Sequence, residues 1–350
     1  MTTTAHTPGA LLRAEIAEQP EAWRTLLAAQ RPALEEAAAA LRAAAPELLV
    51  LVARGSSDHA AMLAQYFAQV RLGVPAMLTT PSVVTSYGTQ LAFPRSFALA
   101  ISQSGASPDL LATVASLQED GVPVLALTNT EGSPLAERAD HLVLLEAGTE
   151  ASVAATKTYT CSLLASLVAI GLAAGDSWGE WEERAERLAA LAEEVIAAGL
   201  PEGLVEALLG SRDVMVVGRG FSMASAREGA LKLTETNGVG ASGWSSADAT
   251  HGPLGQVGRG TLVLALSAGE RTRPAVQELA RSAAALGGTV VSVGEPLEGA
   301  SLHVPLPGCA DEEAPLLEVL PFQLLALEGA LRRGLDPDRP AGLSKVTQTL

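Results

Sequence analysis

The apolar positions of this chain come in short solid runs, not in alternation. LLVLV (48–52), FALAI (97–101) and VLAL (124–127) each lead within three residues to glycine, serine, threonine or asparagine. Longer alanine-rich stretches with helical spacing separate them. Solid aliphatic runs belong to strands buried on both faces, and their alternation with helices predicts a parallel sheet wrapped by helices. Strands are expected at 48–53, 75–79, 96–101, 123–128 and 141–145. A second set is expected at 213–218, 261–266, 288–293 and 302–305. Residues 1–45 read as helical. WGEWEERAERLAALAEEV, within 176–210, reads as an amphipathic connecting helix. The tail GLDPDRPAGLSKVTQTL, with two prolines and no apolar period, reads as irregular chain lying over another part of the fold.

The pattern repeats once. LLVLVARGSSDHAAMLAQYF begins at Leu48 and DVMVVGRGFSMASAREGALKL at Asp213, so that Arg54-Gly55 and Arg219-Gly220 align at an offset of 165. At the same offset ALAISQSG (98–105) falls on VLALSAGE (263–270). At nearly the same offset GVPVLALTN (121–129) falls on GGTVVSVGE (287–295). A period this long is a duplicated domain, not a solenoid repeat. The expected division is an N-terminal helical segment (1–40), a first domain (41–175), a connecting helix (176–205), a second domain (206–335) and a tail (336–350).

Composition narrows the function. Hydrophobic residues make up 48% of the 350 and aromatics only 3%, so the cores must be aliphatic. A net charge of −16 argues against nucleic acid as a partner, although a local pocket can still take an anion. Cys161 and Cys309 stand far apart in apolar surroundings and read as buried free thiols. The longest apolar stretch, CSLLASLVAIGLAAG at 161–175, falls short of the ~20 residues that span a bilayer. The N-terminus lacks the charge and apolar pattern of a signal peptide. A cytoplasmic protein without a membrane partner is expected. No metal or nucleotide motif stands out, and no cofactor is expected.

The chemistry gathers where strands end. ISQSGASPD (101–109) puts three serines, a glutamine and a glycine between a strand and a helix. Hydroxyls and free backbone N–H groups there can hold an anion, and Gly105 lets the backbone come close. Ser102, Gln103, Ser104 and Ser107 would be the donors; ordinary helix capping explains the string equally well. ARGSSDHAA offers Ser56 and Ser57 at a second such turn, and is neither a Walker A loop nor a G-x-G-x-x-G loop. SVAATKTY offers Thr156 at a third. Three polar turns exceed what capping needs.

Taken together these strings resemble the SIS (sugar isomerase) family, most closely the isomerase half of the glucosamine-6-phosphate synthases. LLRAEIAEQPEAWRTLL, GSS, SQSGASPD, AGTEASVAATK, GRGFSMASAREGALKLTE, HGPL and LSKVT occur in the family's order over nearly the whole chain. The resemblance implies two tandem SIS domains, each a three-layer α/β/α, flavodoxin-like parallel sheet. It implies that Ser102, Gln103, Ser104 and Ser107, with Ser56 and Ser57, bind the phosphate of a hexose 6-phosphate. Gly55, Val153, Ala155 and Thr156 would line the substrate. The second copy reads SAGER where the first reads SQSGA, so its pocket is expected to be degenerate, leaving one phosphate site per chain. No glutaminase domain and no cysteine near residue 2 accompany these motifs, so glutamine hydrolysis is not expected.

Glu228, Lys232 and Glu235 share one helical face. By spacing alone they read as a solvated stripe of ion pairs worth about 0.2–0.5 kcal/mol each. The resemblance implies that Glu235 is the base moving a proton between C1 and C2, with Glu228 and Lys232 positioning sugar and carboxylate. His251, in DATHGPLG, would open the sugar ring, reaching the site from a partner subunit in a homodimer. Lys345, in LSKVT, would reach the C2 region, with or without a Schiff base to the ketose.

The expected activity is isomerising glucosamine-6-phosphate deamination, because LSKVTQT and ARGSSDHAA look more like the SIS-type deaminases. The alternatives are a fructosamine-6-phosphate deglycase, an aminotransferase-like isomerase without glutaminase, and, from another class, a phosphosugar-sensing regulator.

Overall fold

The computed structural model describes residues 6–345. They form two compact units. One comprises residues 19–150 and 157–189, the other residues 6–18, 151–156 and 190–345.

A short helix, α1 (Ala10–Ala17), precedes the first of these. That unit then runs α2 (Gln19–Ala44), β1 (Leu48–Val52), α3 (Ser56–Leu72), β2 (Ala76–Leu78), α4 (Ser82–Thr85), β3 (Ser96–Ile101), α5 (Pro108–Glu119), β4 (Val124–Thr128), α6 (Pro134–Arg138), β5 (His141–Leu144) and α7 (Lys157–Ala173). Its strands lie parallel in the order β2-β1-β3-β4-β5, with Val52 opposite Ala100 and Ile101 opposite Leu127. Every residue of β3 and β4 is buried, as a sheet covered on both faces requires. Leu110, Val114 and Leu117 of α5 pack on Val50, Ala98, Ala100 and Val124. The apolar stretch at 161–175 belongs mostly to α7, a helix buried along its whole length.

Helix α8 (Trp178–Ala198) leads into the other unit. There follow α9 (Leu204–Leu209), β6 (Asp213–Gly218), α10 (Ser222–Asn237), β7 (Gly240–Ser245), α11 (Ser246–Thr250), β8 (Thr261–Leu266), α12 (Arg273–Ala285), β9 (Thr289–Gly294), β10 (Leu302–Pro305) and α13 (Ala314–Arg332). Its parallel sheet has the order β10-β9-β8-β6-β7. Counted from its first strand, each sheet reads 2-1-3-4-5, the flavodoxin-like winding. The duplication seen in the sequence is therefore a duplication of topology. Helix α13 has the length and hydropathy to cross a membrane, but 89% of its apolar window is buried in the fold.

The expected strands fall within a residue or two of those observed, with one omission. Strand β7, GASGWS, has no apolar run. Glycine is needed there because a Cβ at Gly243 would lie 2.5 Å from the Ala226 carbonyl oxygen: the backbone of α10 presses directly on the strand. A second correction concerns Cys309, which is half-buried; Cys161 is fully buried, and neither forms a disulfide. Of the tail, residues 336–345 are turns and irregular chain, and 346–350 lie outside the described residues.

Candidate functional site

The turns after β1 and β3 lie at the carboxyl ends of neighbouring strands, where the sheet's winding reverses. Open parallel sheets bind ligands at that place. Gly55 (φ 57°, ψ −132°) has a conformation only glycine adopts readily. Gly105 (φ 61°) has, in addition, no room for a side chain, since a Cβ would fall 2.2 Å from Ser133 Oγ. Ser102 is buried, and its hydroxyl accepts the Gly105 N–H at 3.1 Å, which closes the turn. Ser104 Oγ is 3.4 Å from the Ala106 N–H.

Capping does not account for the Ser107 hydroxyl. Ser107 is the N-cap of α5 but makes no side-chain capping bond, whereas Ser133 does cap α6 by accepting the Ala136 N–H. Ser56, Ser57, Gln103, Ser104 and Ser107 are half-buried. The two turns are tied by Arg54, whose Nε donates to Asp109 Oδ2 at 2.8 Å, with Asp109 buried. The sequence reading gave neither residue a role, because a tie between turns 55 residues apart leaves no local spacing signal.

In the other unit, α10 brings Glu228, Lys232 and Glu235 into one cluster. Lys232 Nζ is 3.3 Å from Glu228 Oε1 and 2.6 Å from Glu235 Oε2. Lys232 and Glu228 are almost completely buried, while the Glu235 side chain keeps 21% exposure. A solvated stripe is thereby excluded for this face. Burial by itself would push the Lys232 ammonium down; the carboxylates of Glu228 and Glu235 outweigh it and hold the group well above the ordinary lysine range. The result is a permanent cation against one hidden and one accessible carboxylate. Gly229 lets α13 approach α10, since a Cβ there would meet the Phe322 ring at 2.7 Å.

Lys345 also belongs to this unit, and its Nζ donates to the Ser152 carbonyl at 2.8 Å. The neighbouring Val153 N–H donates to the Asp338 carbonyl at 3.1 Å. Thr156 is buried, and Val153 and Ala155 are half-buried. The segment Ala151–Thr156 and the tail are thus one assembly. His251, at the C-terminus of α11, stands apart: its ring is exposed and makes no hydrogen bond among the described residues.

The turn after β8, the counterpart of the serine turn, is filled from within. The Asp311 carboxylate accepts the N–H groups of Glu270 at 2.7 Å and Arg271 at 3.3 Å. In this turn the backbone donors are satisfied by a carboxylate of the chain itself.

Among the described residues one group could ligate a metal: His6, Asp336 and Asp338. These carboxylates already take part in the fold: Asp338 accepts the Leu11 and Leu12 N–H groups and Asp336 pairs with His6.

The sequence model described as "SIS domain" matches residues 45–171 and 207–328, one stretch in each copy of the duplication. Over 99% of its length the chain is 33% identical to the glutamine–fructose-6-phosphate aminotransferase [isomerizing] of Pyrobaculum aerophilum, of which it covers 58%. The chain spans about half the length of the curated relatives it matches. A candidate phosphosugar isomerase from Silicibacter pomeroyi DSS-3 is 35% identical, with a TM-score of 0.81, covering 93% of this chain and 99% of that one. A glucosamine-6-phosphate deaminase from Thermotoga maritima shares the fold at 21% identity, with a TM-score of 0.79 and coverage of 97% and 100%.

Proposed function

The chain belongs to the SIS domain family, and we propose that it interconverts an aldose and a ketose 6-phosphate carrying nitrogen at C2. The favoured direction is isomerising deamination: glucosamine 6-phosphate and water give fructose 6-phosphate and ammonia. The observation that carries this reading is the α10 cluster, in which a buried lysine is held between a buried and an accessible glutamate.

The hydroxyls and N–H groups of Ser102, Gln103, Ser104 and Ser107, with Ser56 and Ser57, take the phosphate; neutral donors suffice because the backbone supplies the field. Gly55, Val153, Ala155 and Thr156 line the sugar. His251, contributed by a second subunit of a homodimer, opens the ring. Glu235 lifts the C2 proton of the open-chain amino sugar and returns it to C1. The C2 imine so formed adds water and releases ammonia. Lys232 keeps Glu235 ionised and oriented, and Lys345 approaches C2. Positioned general-base catalysis of this kind contributes about 10²–10⁴-fold.

A second reading runs the same proton transfer toward the amino sugar. Its support is the 33% identity to a protein named as an aminotransferase. Incubating the purified protein with glucosamine 6-phosphate, and separately with fructose 6-phosphate plus ammonium, separates the two. Release of ammonia and fructose 6-phosphate is expected. Phosphosugar binding without turnover on either side would sink both and favour a sensor.

A further inference from the structure

Helix α1 carries a buried carboxylate that the reaction above does not use. Glu15 is 4% exposed, and its Oε1 accepts the backbone N–H groups of Ala151 at 2.5 Å and Ser152 at 3.2 Å. Those residues lie outside any helix or strand, so no sheet or helix ladder can satisfy their donors. The tail completes a circuit. Asp338, fully buried, places its two carboxylate oxygens on the Leu11 and Leu12 N–H groups at 3.2 and 2.8 Å. It thereby caps the helix that carries Glu15, whose own N-cap is the glycine Gly9. Leu12 and Ile16 fasten α1 to Leu327 of α13.

The peptide unit joining Ser152 and Val153 is gripped at both ends by the tail. Its N–H goes to the Asp338 carbonyl and its C=O receives the Lys345 ammonium. Glu15 holds the two preceding N–H groups, so it sets the plane of the chain from which that carbonyl projects.

We propose that Glu15 is a positioning residue for catalysis: by fixing the peptide planes at 151–153 it fixes where Lys345 is held. The inference rests on the reading of Lys345 as a residue that approaches the substrate. A carboxylate whose only task was to stabilise the fold could satisfy any two donors. This one grips the three-residue stretch that also receives the tail lysine.

The test compares Glu15→Gln and Glu15→Ala in the full chain. Glutamine keeps an oxygen able to accept both N–H groups; alanine keeps none. For Glu15→Ala, kcat should fall about tenfold or more while KM for the hexose phosphate stays within about threefold, since the serine turns are untouched. Glu15→Gln should keep kcat within about threefold of the parent. Hydrogen exchange should quicken at the Ala151 and Ser152 amides in Glu15→Ala, with the α10 amides as protected as before. Unchanged kcat and unchanged exchange would overturn the inference. So would kcat and KM changing only in step with lost thermal stability. If Glu15→Ala does not fold, Glu15→Asp, shorter by one methylene, takes its place with the same outcomes. If the parent protein turns over no hexose phosphate, the reaction proposed above fails on its own. The anchor is then judged by exchange and by acylation of Lys345: faster in the variant supports it, unchanged overturns it.

Discussion

Lys232 explains more of this protein than any other single residue. Two carboxylates share one buried ammonium, and the fully buried one, Glu228, would be costly there as an anion without it. Lys232→Met should destabilise the protein by about 3–5 kcal/mol, as removing one partner from a buried ion pair does. Denaturant unfolding checks this. Glu235→Gln should leave the melting temperature within a few degrees and remove turnover, because Glu235 is the partly exposed member and a neutral amide cannot take a proton. Glu318 of α13 is a second residue-scale case. Its carboxyl is fully buried, accepts the Ser222 hydroxyl at 2.7 Å, and is raised by burial from 4.5 to about 7. The folded protein therefore keeps a proton that the unfolded chain gives up above pH ~4.5. Stability from this group is complete below that pH and is lost as pH rises through about 7, an effect of about 3 kcal/mol. Unfolding measured at pH 5 and pH 8 should show Glu318→Gln more stable than the parent at pH 8 and similar to it at pH 5. At this scale the sequence showed that Glu228, Lys232 and Glu235 share a face. It could not show that the face is buried, because burial depends on α13 and Phe322, nearly a hundred residues away.

Among the elements, the turn after β3 differs from an ordinary helix start in that its N-cap hydroxyl, Ser107, makes no capping bond. Gly105→Ala should distort that turn. The positive φ costs about 1–2 kcal/mol for an L-residue, and the added methyl displaces Ser133 from its cap on α6. A KM for hexose 6-phosphate raised at least about tenfold is expected, with kcat less affected. Asp311 makes the counterpart turn after β8 self-sufficient, so calorimetric titration should find one hexose phosphate per chain; two would contradict the assignment. Strands were legible wherever the chain is uniformly aliphatic. Strand β7 was not, since its glycines are dictated by the backbone of α10 and not by any propensity of their own. Arg54–Asp109 and Glu15 were equally hidden: each joins segments that only the fold brings together.

For the molecule as a whole, the offset of 165 residues made the duplication legible, because each copy repeats the same order of apolar runs; the flavodoxin-like winding was legible only through the family resemblance. The divergence between copies was legible too, in SAGER against SQSGA, though not that an aspartate from elsewhere fills the gap. The central claim is that Glu235 moves a proton between the first two carbons of a phosphosugar. Its most direct test is turnover of glucosamine 6-phosphate deuterated at C2, in ordinary water, followed by NMR of the fructose 6-phosphate formed. The account predicts substrate deuterium at C1 with the parent protein and no product with Glu235→Gln, which should still bind the sugar phosphate. Product from Glu235→Gln at the parent rate would contradict it.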